Sequence, residues 1–250
     1  MSVQVFGVDI GGSGVKGAPV DLATGMLVGE RTRIPTPTPS TPDAVADAIV
    51  EIVKTHGWSG PIGVTVPSVV INGVVETAAN IDSEWVDHDV CDMLTERLGA
   101  PVTVLNDADA AGLAEVTYGA AKGEQGVVIL LTFGTGIGSA YLYRGQLIPN
   151  TELGHLIFKG QKAEHYAAGR LVKRGDLEID WWAQRVDELL DYMEELFWPD
   201  LFVFGGGISK RFEMYSHLFT TRAPIVPAVL RNQAGIVGAA LAASRELEDA

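Results

Sequence analysis

Two glycine-rich turns and one strand-end carboxylate are the residues of this sequence whose types and spacing could do chemistry. The stretch VFGVDIGGSGVKGAPV, residues 5–20, spells G-x-G-x-x-G with Gly12, Gly14 and Gly17, the spacing of a dinucleotide-binding fingerprint. That fingerprint must open into a helix whose amino end meets a pyrophosphate. Here Val15, Gly17, Pro19 and Val20 follow. Gly and Pro are poor helix-interior residues, so the sequence predicts a strand, a glycine turn and a second strand. The same design returns at VVILLTFGTGIGSAYLYRG, residues 127–145. Placing Asp9 against Thr132 sets Gly11 on Gly134 and Ser13 on Gly136, with Gly12 and Thr135 between them. Two such turns facing one cleft would offer backbone N–H groups and hydroxyls to a row of phosphate oxygens. Lys16 would add a cation, and Asp9 a carboxylate that orders magnesium indirectly. A pair of ordinary tight hairpins is the alternative.

The carboxylate is Asp107, in NDADAAGLAE at 106–115. It sits where a predicted strand gives way to a helix, the position at which α/β sheets hold ligands. Helix capping by Asn106 or Asp107 is the plain alternative, and one carboxylate can cap and still face a cleft. Further on, TELGHLIF supplies Glu152 and His155, and AEHYAAG supplies Glu164. These residues lack the cysteines and spacing of a zinc motif. With the amides of Asn80 and Asn106 they make a set of donors and acceptors suited to a polyol. A third cluster, LFVFGGGISK at 201–210, runs from a strand into Gly205, Gly206 and Gly207 and then a predicted helix. That order suits close backbone approach to a nucleotide or polyphosphate, or a plain tight turn.

The elements that must position these residues follow from periodicity and punctuation. Strands are predicted at 3–9, 26–33, 61–66 and 102–105, helices at 42–56 and 89–98, and a hairpin at Asn72-Gly73. A small-residue helix over 233–247 is expected to pack back on the first half. A chain of 250 residues, 47% hydrophobic and 20% charged, suits one globular unit or two closely packed lobes. No charge occurs between Glu124 and Arg144, but the polar centre of that interval divides it into two buried strands, so no membrane span is expected. The net charge of −14 opposes binding to nucleic acid or anionic membrane. Cys91 has no second cysteine to pair with, and no secretory pattern is visible, so a cytoplasmic location is expected.

Taken in order, DIGGSGVKG from Asp9, the AAN ending at Asn80, Asn106-Asp107, LTFGTGIGSA, ELGH, the E-x-Y-A-x-G run from Glu164 to Gly169, and FGGGIS resemble the ROK family of sugar kinases, within the actin-like ATPase superfamily. The resemblance implies an α/β fold with a duplicated ribonuclease-H-like plan, as in hexokinases, and two lobes around a cleft. The small lobe would span 1–108, with a C-terminal helix at 234–250 packed back on it, and the large lobe 109–233. Asp107 becomes the general base for the 6-hydroxyl of glucose, with mannose as a second candidate acceptor. Ser68, Asn80, Asn106, Glu152, His155 and Glu164 would bind the sugar. Asp9, Gly11, Gly12, Ser13, Lys16, Thr132, Gly134, Thr135, Gly136, Gly205, Gly206 and Gly207 would hold the donor, ATP or inorganic polyphosphate, with magnesium. A homodimer is implied as well.

Departures from the family pattern narrow the reading. The residues LIFKGQKA after ELGH carry no cysteine, so the family's structural zinc site is expected to be absent and His155 left for the sugar. No helix-turn-helix segment precedes Asp9, which sets aside the DNA-binding branch. With SEW at 83–85 and LFWPDLFVFGGGISK, the chain looks like the polyphosphate-using branch, some members of which also take ATP. Between 159 and 174, Lys159, Lys162, Arg170, Lys173 and Arg174 are offset only by Glu164. They could form a track for a polyanion or a solvated basic face. An ATP-only hexose or N-acetylhexosamine kinase and a non-enzymatic sugar sensor are the rival readings.

Overall fold

The computed structural model describes residues 3–78 and 81–249, so Asn80 lies outside the described residues. The chain forms two compact units, Met1–Ala114 with Asn232–Ala250, and Glu115–Arg231.

In the first unit β1 (Gln4–Gly11) and β2 (Gly14–Asp21) form an antiparallel hairpin that pairs Asp9 with Lys16 and Gly11 with Gly14. β3 (Met26–Leu27) and β4 (Thr32–Ile34) both pair with β2. After α1 (Pro42–Thr55), β5 (Ile62–Val66) joins β1 in parallel. A small hairpin, β6 (Val70–Ile71) with β7 (Val74–Val75), and α2 (Val90–Leu98) lead to β8 (Val102–Asn106), which joins β5 in parallel. The sheet order is β3-β2-β1-β5-β8. Parallel pairing requires crossovers, which cover the sheet and bury its central strands. All of β5, IGVTV, is buried accordingly.

Thr41 starts α1 by accepting from the N–H of Ala44, and Pro42 follows where a missing N–H is tolerated. Val45, Ile49 and Ile52 recur at helical spacing and pack with Phe6, Val8, Ile62 and Val64. Side-chain alternation puts Gly7 and Gly63 on the opposite sheet face, against the C-terminal helix Ala234–Asp249. A Cβ on Gly7 would stand 1.9 Å from the carbonyl oxygen of Ile236, and one on Gly63 1.8 Å from that of Ala239. Only glycine permits this backbone-to-backbone contact. From β8 the chain passes directly into α3 (Asp107–Tyr118).

The second unit repeats the plan. β9 (Val127–Phe133), β10 (Ile137–Tyr143) and β11 (Gln146–Ile148) form an antiparallel meander. Short elements follow: β12 (Ile157–Phe158), β13 (Gln161–Lys162), α4 (Ala163–Ala167) and α5 (Arg170–Lys173). The long helix α6 (Ile179–Phe197) precedes β14 (Leu201–Gly205), parallel to β9, and β15 (Ile225–Pro227), parallel to β14. The order β11-β10-β9-β14-β15 reproduces the first sheet: an antiparallel hairpin extended by parallel strands. This is the duplicated α/β architecture that the paired glycine hairpins predict. Trp182, Val186, Leu189 and Met193 of α6 pack on Leu131, Phe133, Phe202 and Phe204. The Trp182 ring meets Phe133 edge-on at 5.3 Å, and its buried N–H donates to the Ala167 carbonyl across 2.8 Å. Among the described residues no helix is long and apolar enough to cross a membrane.

Three local expectations are corrected. The glycine turns differ in length, because the ladder closes at Gly11 and Gly14 in one and at Phe133 and Ile137 in the other. Gly11 is thus a strand residue whereas Gly134 is a turn residue. The strand predicted over 26–33 is two short strands, with the chain bent through Gly29 at a φ of 81°. The helix predicted after the third glycine cluster is a 3-10 run, Gly207–Met214, which departs from helical geometry at Arg211. Ser209 donates to the Gly206 carbonyl from both its hydroxyl and its N–H, which favours the tighter i to i+3 turn.

Candidate active site

The first turn is braced by side chains that arrive from elsewhere in its unit. Asp9 Oδ2 accepts from Lys16 Nζ at 3.0 Å, and Oδ1 accepts from Thr65 Oγ1 at 3.2 Å. The cross-strand partner and the parallel neighbour together fix the carboxylate. The guanidinium of Arg33 donates to the Ser13 carbonyl and the hydroxyl of Thr36 to the Gly11 carbonyl. A Cβ on Gly14 would stand 2.6 Å from Arg33 Nε, and one on Gly17 would stand 2.8 Å from the Phe6 ring. Packing explains Gly17, whereas the neighbour of Gly14 is the far end of a flexible arginine side chain. Gly12 is different, with nothing within 4 Å of its Cβ position and no positive φ. Neither packing nor backbone strain demands glycine there, and its bare backbone stays open to close approach.

Asn106 ends β8, and its Oδ1 accepts from the N–H groups of Ala108 and Asp109 at 2.8 and 3.1 Å. It is a cap of α3, and Asp107 is the half-buried first residue of that helix. Asn106 Nδ2 also donates to the Ser68 carbonyl at 3.1 Å. Among the described residues the Ser68 hydroxyl is buried without a hydrogen-bond partner, an arrangement that costs about 1–3 kcal/mol unless a ligand group meets it.

In the second unit the glycine turn is closed by the Gly134 N–H donating to the Gly136 carbonyl at 3.0 Å. Arg170 holds the turn from outside, its N–H on the Gly134 carbonyl at 2.9 Å and its guanidinium on the Thr135 carbonyl. Gly205 pairs with Thr132 across the parallel ladder. Gly206, at a φ of 81°, and Gly169 both press on the Phe133 carbonyl, at 2.6 and 2.7 Å from their Cβ positions. Gly134 and Gly207, like Gly12, have nothing within 4 Å and no positive φ. These segments line a cavity of about 470 Å³.

Glu152, His155 and Glu164 gather in the same unit. His155 Nδ1 lies 3.7 Å from Glu152 Oε2, and its Nε2 lies 3.9 Å from Glu164 Oε1. Both separations exceed hydrogen-bond length, and among the described residues no hydrogen bond engages the imidazole or the Glu152 carboxylate. Donors and acceptors therefore converge with capacity for added hydroxyls. The segment is set by Ser139, whose hydroxyl donates to the Thr151 carbonyl and accepts from the Leu153 N–H at 2.9 Å. A Cβ on Gly136 would stand 2.4 Å from Glu164 Oε2, so this carboxylate packs directly on the second turn.

Of the basic run, Arg170 and Lys173 line the cavity beside Gly134 and Thr135. Lys159 instead bonds Glu188 and Tyr166, which raises its own pKa and lowers that of Glu188. Lys162 leads into α4, and Arg174 closes α5 in an exposed position. The structure adds residues that the sequence does not advertise: Thr65, Arg33 and Thr36 at the first turn, and Arg211 on the cavity. Alternation along β5 places Thr65 on the face of Gly63, a detectable signal, whereas Arg33, Thr36 and Arg211 carry none.

Sugar kinases are prominent among the known proteins that this chain resembles. The chain is 53% identical over 238 residues to a polyphosphate glucokinase of Mycobacterium tuberculosis, an alignment that covers 95% of this chain and 90% of that protein. The crystal structure of an inorganic polyphosphate/ATP-glucomannokinase from Arthrobacter sp. strain KM matches with a TM-score of 0.93 at 48% identity, covering 98% of this chain and 99% of that one. A ROK family glucokinase from Streptomyces griseus, solved with glucose and AMPPNP, matches with a TM-score of 0.83 at 25% identity, covering 97% and 100%. Residues 5–170 match the ROK family model, and the chain belongs to the ROK family.

Proposed function

We propose that this protein transfers the terminal phosphoryl group of inorganic polyphosphate or ATP to the 6-hydroxyl of glucose. One observation carries the reading: Gly12, Gly134 and Gly207 keep their backbones bare although neither φ nor packing requires glycine at any of them. Bare backbone at turns is what phosphate oxygens need for close approach. Asp107 then accepts the proton of the 6-hydroxyl as its oxygen bonds to phosphorus. The bond from phosphorus to the bridging oxygen breaks, and the shortened polyphosphate or ADP leaves with the electron pair. Such transfer depends on positioning and charge stabilisation more than on covalent chemistry by the protein.

Ser68, Asn106, Glu152, His155 and Glu164, with Asn80, are the proposed sugar ligands, through their hydroxyl, amide, imidazole and carboxylate groups. Asp9, Gly11, Ser13, Lys16, Thr132, Thr135, Gly136, Gly205 and Gly206 complete the donor site. Magnesium fits Asp9 as an outer, water-bridged ligand, since a single carboxylate already held by Lys16 and Thr65 suits an ion that keeps its waters and binds substrate phosphates. It would neutralise charge on the transferring phosphates. Mannose as second acceptor, a homodimer and a cytoplasmic location complete the proposal.

The test is formation of glucose 6-phosphate by purified protein with magnesium and either ATP or nucleotide-free polyphosphate. Turnover with polyphosphate supports the proposal. Turnover with ATP alone restricts it to an ordinary sugar kinase, and no turnover with either donor overturns it.

A further inference from the structure

The cavity of the second unit collects three cations from two distant segments, Arg170 and Lys173 of α5 and Arg211 of the 3-10 run after β14. The chain as a whole carries a net charge of −14. Among the described residues no carboxylate lies within 4.0 Å of any of the three, whereas Lys16, Arg97 and Lys159 are each paired with Asp or Glu. Like charges left together without acids repel unless an anion joins them. Arg211 is held in place by its neighbour, since Phe212 packs on Phe204 and Tyr215. Among the described residues its guanidinium donates a hydrogen bond only to the Met214 sulfur, at 3.5 Å.

Arg170 is bonded to the second glycine turn, so one cation stands where phosphoryl transfer is placed. Arg211 reaches the cavity from the Gly207 side. The cations thus come to the cavity from two separate segments, α5 and the run after Gly207. A ligand charged at every repeat unit meets all of them. ATP carries its charge at one end and an uncharged nucleoside at the other.

We infer that Arg211, with Lys173, binds the part of a polyphosphate donor that is not transferred, and so sets the preference for long polyphosphate over ATP. This rests on the proposed phosphoryl transfer and adds a specificity-determining residue to it. The phosphate chain lies along the cavity over Gly207, and Arg211 acts on donor affinity while leaving the bond-making step to Asp107.

The experiment compares wild type, Arg211→Gln and Arg211→Lys. For Arg211→Gln the expected result is a rise of about tenfold in KM for long-chain polyphosphate, the size of one charge-assisted contact. The rise in KM for ATP should be much smaller, and Arg211→Lys should recover most of the loss with polyphosphate. Direct binding of long-chain polyphosphate across a salt series gives a readout without turnover. Its log–log salt slope should become shallower by about 0.7 to 0.9 for Arg211→Gln, as for one lost phosphate contact in nucleic-acid binding. An unchanged salt slope, or equal losses with both donors, overturns the inference. Wild-type protein that binds polyphosphate but transfers nothing from it overturns the functional reading instead, and the salt slopes still decide whether Arg211 is a polyanion ligand.

Discussion

Nδ2 of Asn106 donates to the carbonyl oxygen of Ser68 across 3.1 Å, so the residue that caps α3 also fixes the turn bearing a hydroxyl that is buried and, among the described residues, unpartnered. Asn106→Ala removes both functions, and the lost cap alone should cost about 1–2 kcal/mol. Asn106→Asp keeps the capping oxygen but turns the donor to Ser68 into an acceptor facing a carbonyl and buries a charge beside Asp107 and Asp109. Thermal melts should show a marked fall for both variants. Both should raise KM for glucose, and an unchanged KM in both would remove Asn106 from the sugar site.

Asp107→Asn should lower kcat by about 10²- to 10⁴-fold, the usual contribution of a general base. Calorimetric glucose binding and Tm should remain close to wild type. Unchanged turnover would assign the base to another residue.

The glycines divide into two classes with opposite readouts. Gly134→Ala and Gly207→Ala meet open space, so Tm should hold while the donor KM rises. Gly63→Ala drives a methyl group into the Ala239 carbonyl, and overpacking of this kind costs about 1–3 kcal/mol. Its signature is a lower Tm with wild-type KM values in the protein that remains folded.

Asp191 on α6 has its pKa raised by burial and by the neighbouring Asp187, Glu194, Glu195 and Glu188 carboxylates. A raised folded-state value means that protonation favours the fold: the contribution is present in acid and lost as pH rises through the carboxylate range. Asp191→Asn should therefore raise Tm at pH 7, by about 1 °C for an exposed helical like-charge contact, and leave it unchanged near pH 3. An equal shift at both pH values would contradict the electrostatic origin.

Lys159 and Glu188 supply the complementary case. Glu188 is held low by Lys159 and Tyr166, so that stabilisation is present at neutral pH and fades as acid protonates the carboxylate. The pair is solvent-exposed, so Lys159→Ala should leave Tm close to wild type. Polyphosphate use should respond far more to Lys173→Ala, since Lys173 lines the cavity and Lys159 is already engaged.

Much of the fold was legible because its signals are local. Gly-rich turns between apolar runs marked both hairpins, and Asn106-Asp107 at a strand end marked the helix start and the proposed base. The dinucleotide spacing was set aside on the residues after it, and the hairpin expected in its place is the one formed by β1 and β2; of its three glycines Gly12 alone has an open Cβ position. The roles of Arg33 and Thr36 were not legible, because they depend on β4 pairing across β2 and on the chain returning to the first turn. Arg211 was hidden for a related reason. Its sequence neighbours suggest an ordinary helix, and the approach of Gly169 and Gly206 to the Phe133 carbonyl brings its segment to the cavity.

The contact of Gly7 and Gly63 with helix Ala234–Asp249 also dictates an order of events during synthesis. At translation rates of about 5–20 residues per second, the delay between completion of β8 and emergence of that helix is on the order of ten seconds. Throughout it, one face of a finished parallel ribbon is exposed on the ribosome, ready to pair with anything apolar. The nascent first unit must be shielded or remain fluid until its own last segment arrives, whereas the second unit is one continuous stretch, Glu115–Arg231, and can consolidate first.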